Sequence, residues 1–210
     1  MIQTIIRNRF TDLDQAMAWL QETLSSNRFE HSLGTYEKAV ELAEKFQLPD
    51  EDCERVATAG LLHDAAKLMN SRELLEACTR YHIELDAMDR ATPQTLHPVV
   101  GAEIVRERFA LEDVITLDAI RYHTTGRAGM TTVEKIVYVA DKIEGKTREP
   151  KYIEAITVSL DYTKPWSLDL TVLAILNSTV EFLISKNQLI HPRTIEARND
   201  IVNRLQIDTH

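Results

Sequence analysis

The chain is poor in the residues that build linkers and covalent frameworks: two cysteines, six glycines and six prolines in 210 residues. Cys53 and Cys78 match no zinc-ligand spacing. They read as small, buried apolar side chains in a reducing compartment. So little glycine and proline, with no low-complexity run, leaves little room for linkers, and no solenoid-type repeat is visible. Long apolar runs are missing as well. No stretch of 18 apolar residues occurs, so no membrane span is expected. The opening MIQTIIRNRF has neither a sustained apolar core nor a small-residue cleavage site, which makes a cytoplasmic location the default expectation. Positive charge is in deficit: 24 Lys and Arg against 33 Asp and Glu give a net charge of −9. That balance argues against a nucleic-acid polymer as the main partner, but it permits a small phosphate ester in a local pocket.

What the chain does have is apolar residues, 44% of the total, at helical spacing. This suffices for the core of one largish domain. Residues 12–25 place Leu13, Ala16, Met17, Leu20 and Leu24 on one stripe, with Asp12 and Gln15 spaced as a capping pair. A second helix is predicted from about Ser32 to Phe46. A third, after the Leu48-Pro49-Asp50 break, is predicted to run to about Met69, and a short one over 72–80. Residues 81–96 look loose. Pro98, favoured as a first helical residue, starts a helix to about Phe109 with His97 at its entrance. Further helices are predicted over 112–123, from Thr131 and Glu134 (a capping-box spacing) to Gly145, and over 151–159, 168–186 and 194–206. No convincing alternation of strand type occurs. The expected fold class is all-α.

One stretch does not suit a plain core helix: 59-AGLLHDAAKL-68 sets His63 and Asp64 side by side among good core residues. A buried imidazole or carboxylate must be paired or must bind a metal. The pair is therefore either a hydrogen-bonded structural element or part of a metal site. His31, His97, His123 and Asp141 fall at or near predicted helix ends, where they could converge. Imidazole with carboxylate suits iron, manganese, zinc and similar divalent ions, and hardly suits calcium. His82 and His191 are assigned surface or capping roles, and His210, the last residue, is expected to be mobile.

Longer phrases go further: 28-RFEHSLG-34, 59-AGLLHDAAK-67, 97-HPVVGAEIV-105, 121-RYHTTGRAGMT-131, 136-IVYVADKIEGKTREP-150 and 190-IHPRTIEARN-199. In this text the chain resembles the HD superfamily of metal-dependent phosphohydrolases, and within it the YqeK family of symmetrical diadenosine tetraphosphatases. The resemblance runs from about residue 13 to about 203. It implies a single HD-type domain spanning 1–210, a helical bundle with a core over about 28–150 and the N-terminal and C-terminal helices packed on it. It implies two divalent ions, with iron favoured and manganese, cobalt or zinc tolerated. His31, His63, Asp64 and Asp141 would hold one ion, and Asp64 would bridge to a second held also by His97 and His123. A pair of such ions acidifies water and stabilises charge on phosphoryl oxygens. The implied reaction is hydrolysis of diadenosine tetraphosphate into two ADP. The alternatives are an HD-type nucleotidase or phosphodiesterase acting on other nucleotides, and a nucleotide-binding module without turnover.

The surrounding residues carry two readings each. Lys67, one turn beyond the pair, is with Asp64 a candidate catalytic residue and could reach a substrate phosphate; the plainer reading is a salt bridge to a ligand carboxylate. The sequence HDAAK lacks the Glu-Asp pair that follows the motif in the alarmone hydrolases of the superfamily. Thr124, Thr125, Gly126 and Arg127 offer hydroxyls, a pliable backbone and a guanidinium to a nucleotide, or else a helix end with a solvated arginine. Arg148 lies in a basic run with Lys142, Lys146 and Lys151 that suits a polyphosphate, or simply faces solvent. Glu144 could brace Arg148 or a ligand histidine. Arg198-Asn199 is read as a tie between the last helix and the core. The expected ligand is a dinucleoside polyphosphate or a nucleoside diphosphate, with no nucleic-acid polymer and no membrane; a homodimer stays open.

Overall fold

A computed structural model describes residues 9–207. His210 lies outside the described residues. Among these, eleven α-helices and no strand are found. The helices begin where local chemistry satisfies their first amides. Asp12 accepts the Gln15 N–H at 3.1 Å and opens α1 (Leu13–Thr23). Ser25 caps α2 (Ser26–Lys45), and three acidic residues fill the first turn of α3 (Asp50–Leu62), where the helix dipole favours them. Asn70 and Glu73 form a capping box on α4 (Ser71–Arg80), as do Asp86 and Asp89 on α5 (Ala87–Ala91). A 3₁₀ turn, Pro93–Leu96, leads into α6 (His97–Phe109). Then follow α7 (Val114–Tyr122), α8 (Thr132–Ile143) with the expected Thr131/Glu134 capping box, α9 (Pro150–Thr157), α10 (Trp166–Ser185) and α11 (Pro192–Ile207).

The centre is built by α2, α3 and α8 packed on one another, with α7 against α3 and α8. Leu42, Leu61, Leu62, Ile120, Ile136 and Tyr138 are wholly buried there. Each such aliphatic side chain stabilises the fold by roughly 1.5–3 kcal/mol. Gly60 lets α2 and α3 approach: a Cβ at this position would stand 3.1 Å from the Cβ of Ala39. α10 and α11 pack together, with α10 against α8. By length and mean hydropathy α10 is long and apolar enough to cross a membrane. In the fold it buries Leu168, Val172, Ile175 and Leu176 on one face and leaves Trp166, Phe182 and Ile184 exposed. Arg198 Nε donates to Asn177 Oδ1 at 2.7 Å, which is the expected tie from α11, here to α10.

Four expectations need correction. α2 starts at Ser26 rather than Ser32, so His31 lies in its second turn and not at its beginning. α3 ends at Leu62 rather than Met69, and residues 63–68 continue as tight turns: Ala65 N–H donates to Leu62 O and Lys67 N–H to Asp64 O. His63 and Asp64 are therefore at a helix end, not mid-helix. The loose stretch 81–96 contains α5 and the 3₁₀ turn. His191 is buried rather than on the surface, 3.3 Å from Asp89 Oδ1. Its other nitrogen does cap, accepting the Arg193 N–H at 3.2 Å. Cys78 is buried and Cys53 partly so, and both are free thiols.

Candidate metal centre

The six aspartates and histidines singled out in the sequence meet at one end of the central helices. His31 comes from α2, His63 and Asp64 from the end of α3, His97 from the first residue of α6, His123 from the end of α7 and Asp141 from the last turn of α8. All six are at most 4% exposed. Three of the histidines are oriented in the same way. A helix leaves its last carbonyls without amide partners, and each Nδ1 lies near the carbonyl three residues before it: His63 on Gly60 at 2.9 Å, His97 on Gln94 at 2.7 Å and His123 on Ile120 at 2.7 Å. A carbonyl oxygen only accepts, so each Nδ1 carries the proton and each Nε2 presents a lone pair. His31 Nδ1 is the exception. It meets Glu144 Oε1 at 3.1 Å and Thr147 Oγ1 at 3.2 Å.

All four Nε2 atoms point inward. His31 and His63 form one pair, 3.3 Å apart, and His97 and His123 another, 3.4 Å apart. Asp64 stands between the pairs and divides its oxygens. Oδ2 lies 3.8 and 3.7 Å from the Nε2 atoms of His31 and His63, while Oδ1 lies 3.3 and 3.4 Å from those of His97 and His123. Asp141 Oδ1 is 2.9 Å from His31 Nε2 and 3.9 Å from His63 Nε2. Asp64 Oδ1 is buried and makes no hydrogen bond. Lone pairs aimed at one another and at a buried carboxylate oxygen repel unless a cation lies among them. The donor set, imidazole nitrogen and carboxylate oxygen, is that of a divalent transition-metal site. Two groups in particular, His31–His63–Asp141 and His63–Asp64–His123, have ligand atoms close enough to share an ion.

Burial keeps imidazoles neutral here: it lowers the pKa of His63 to about 3 and that of His97 to about 4. Asp64 and Asp141 lie well below the usual carboxylate range, because the cations and histidines around them outweigh burial. The sign of the stability effect follows. A histidine kept neutral in the fold stabilises it fully above the unfolded pKa near 6.5, and that stabilisation is lost as pH falls toward the folded value. Each contributes up to about 1.4 kcal/mol of loss per pH unit in this window. The metal-free protein is therefore expected to melt at progressively lower temperature from pH 6.5 to pH 5, as thermal denaturation in chelator would show. A flat melting temperature over that range would contradict neutral buried imidazoles.

Cations surround the two aspartates. Arg28 Nη1 is 3.3 Å from Asp64 Oδ2 and Lys67 Nζ is 3.5 Å from Asp64 Oδ1 and 3.1 Å from His97 Nε2. Burial lowers the pKa of Lys67 against the pull of Asp64 and Asp141. Lys142 pairs with Asp141 Oδ2, and Arg148 donates to Asp141 through Nη2 to Oδ1 at 2.8 Å and Nε to the carbonyl at 3.0 Å. Arg28 opens the 28-RFEHSLG-34 phrase, but the sequence assigns it no role. Only the fold brings it to a carboxylate 36 residues away.

The 124–127 segment divides. Thr124 Oγ1 lies 3.4 Å from His97 Nε2, beside the centre. The Thr125 hydroxyl is buried and donates to Gly126 O. Gly126 has φ +66°, and a Cβ there would lie 3.1 Å from the Cβ of Ala197, so it serves close packing against α11. Arg127 turns to Glu134, donating at 2.6 and 3.0 Å, reaches Asp118 at 3.4 Å, and lies over the Tyr122 ring.

A helical bundle that gathers four histidines and two aspartates around an adjacent His-Asp pair defines the class of metal-dependent hydrolases of HD type. Residues 28–146 match the HD domain family. The chain is 33% identical to "Bis(5'-nucleosyl)-tetraphosphatase, symmetrical" of Bacillus subtilis (strain 168), over 90% of this chain and 97% of that one. It is 32% identical to the protein of the same description from Staphylococcus aureus (strain NCTC 8325 / PS 47), over 90% and 93%. A crystal structure of a "predicted HD superfamily hydrolase involved in NAD metabolism" from Clostridium acetobutylicum superposes with a TM-score of 0.83 at 33% identity, covering 92% of this chain and 98% of that one. The chain belongs to the HD superfamily and, within it, to the YqeK family.

Proposed function

We propose that this chain is a metal-dependent phosphoric anhydride hydrolase that cleaves diadenosine tetraphosphate symmetrically, in a single HD-type domain. Water adds across one P–O–P bridge at the middle of the tetraphosphate, and two ADP leave. The observation that carries the reading is the placement of Asp64, with one carboxylate oxygen toward each histidine pair. That arrangement suits two cations, one held by His31, His63, Asp64 and Asp141, the other by Asp64, His97 and His123. Iron is the favoured occupant, and the same donors accept manganese, cobalt or zinc. Two divalent ions supply an acidified water and a sink for charge on the phosphoryl oxygens.

The protein's own residues do the rest. The carbonyl contacts of His63, His97 and His123 hold their rings in one tautomer and orientation, so no reorganisation is needed during the reaction. Arg28, Lys67, Lys142 and Arg148 put four cations beside Asp64, Asp141 and Glu144. In a protein of net charge −9 cations here outnumber these carboxylates by one, and bound divalent ions would add to that excess. A polyanion such as a tetraphosphate fits that charge. Lys67 and Arg28, each about a third exposed beside Asp64, would bind phosphoryl oxygens and offset charge on the departing ADP. Thr124, whose hydroxyl lies 3.4 Å from His97 Nε2, would contact the substrate there. Thr125, Gly126 and Arg127 act by shaping this segment, since each is engaged within the protein.

Product identity tests the reading. Anaerobically prepared, iron- or manganese-loaded protein given diadenosine tetraphosphate is expected to yield ADP alone by anion-exchange chromatography. ATP plus AMP, or uncut dinucleotide, would refute it.

A further inference from the structure

His31 differs from the other three histidines in what its outer nitrogen meets. His63, His97 and His123 each give Nδ1–H to a neutral backbone carbonyl. His31 gives it to the carboxylate of Glu144. Glu144 is completely buried and follows the last turn of α8, three residues after Asp141. Its carboxylate also accepts the backbone N–H of Lys146 at 2.6 Å, the N–H of Thr147 at 3.1 Å and the Thr147 hydroxyl. The space for it is made by glycine. A Cβ on Gly34 would stand 2.5 Å from Glu144 Oε2 and 3.2 Å from its Cδ. Four residues on, the same short segment returns Arg148 to Asp141. Residues 144–148 therefore grip both His31 and Asp141, whereas His97 and His123 are held from behind by the backbone carbonyls of Gln94 and Ile120.

We propose that Glu144 is a positioning residue for the metal centre: it fixes His31, strengthens it as a donor, and makes the ion held by His31, His63 and Asp141 the tighter of the two. This rests on the metal-centre reading above. A carboxylate behind a ligand imidazole raises its basicity and locks its tautomer, an arrangement worth about 10–100-fold in metal affinity. A neutral carbonyl supplies orientation with less charge. Gly34 has the dependent role of leaving room for that carboxylate.

The test is a stepwise titration of the metal-free protein with Co²⁺, followed by its visible absorption bands and by metal analysis. Wild type is expected to bind two ions, one more tightly. Glu144→Gln keeps size and an acceptor but removes the charge; it should weaken the tighter ion about 10–100-fold, shift its absorption bands, and leave the weaker ion within twofold. Gly34→Ala, which displaces an intact Glu144, should do the same. Equal first-ion affinity in a folded Glu144→Gln protein would overturn the proposal. Should both variants fail to fold, imidazole NMR of Zn²⁺-loaded wild type decides. The His31 Nδ1 proton should resonate downfield of the other three, and a position indistinguishable from theirs would overturn the proposal. A wild type that binds no ion would refute the metal centre itself, which is a separate outcome.

Discussion

Replacing Asp64 with alanine is expected to abolish hydrolysis and to empty both metal positions at once. The reason is geometric. One oxygen of this carboxylate faces His31 and His63, and the other faces His97 and His123. Removing it takes a ligand from each group and the negative charge that both cations need. The loss in rate should be on the order of 10³-fold or more, beyond the 10²–10³-fold typical of one lost electrostatic stabiliser. The fold should tolerate the change. The cations left behind, Arg28 and Lys67, are 36% and 29% exposed and can hydrate. Metal analysis beside circular dichroism checks this. A folded Asp64→Ala protein with wild-type occupancy would defeat the bridging assignment.

His123→Ala separates the two positions. His123 Nε2 lies 3.4 Å from both Asp64 Oδ1 and His97 Nε2, and its ring also meets that of His63 edge-on. Its loss should remove one ion and leave the other, held by His31, His63, Asp64 and Asp141. Hydrolysis should fall by about 10²–10³-fold, as for removal of one electrostatic stabiliser, while about half of the metal remains. His97→Ala should behave alike. The His123 side chain is buried and the Ile120 carbonyl loses one of its two donors, keeping the backbone N–H of residue 123, so some stability is lost too, to be measured by thermal melting. Complete loss of metal from a folded His123→Ala protein would contradict two separable positions. So would full retention.

The helical class and most helix positions were legible because apolar spacing and caps agree, as in α8, where Thr131, Glu134 and the buried face coincide. The six residues that converge were legible through the long phrases around His31, His63-Asp64, His97, His123 and Asp141. The end of α3 was not. Ala65, Ala66 and Leu68 favour helix, and only the demands of packing turn the chain after Leu62 and aim Asp64 into the centre. α5 was missed because five residues are too few for a period to show, although Asp86 and Asp89 carry a capping-box spacing. Arg28, and the burial of His191 against Asp89, depend on residues 36 and 102 positions away. Arg127 shows the same blindness. Four residues after His123 in sequence it suits a phosphate, and its pairing with Glu134 shows only in the fold.

The central claim is that six side chains hold two cations astride Asp64. Anomalous diffraction from crystals grown anaerobically with Mn²⁺ tests it directly. Two peaks about 3.5–4 Å apart, one beside His31 and His63 and the other beside His97 and His123, with Asp64 between them, are the predicted result. A single peak, or peaks away from these residues, would contradict it.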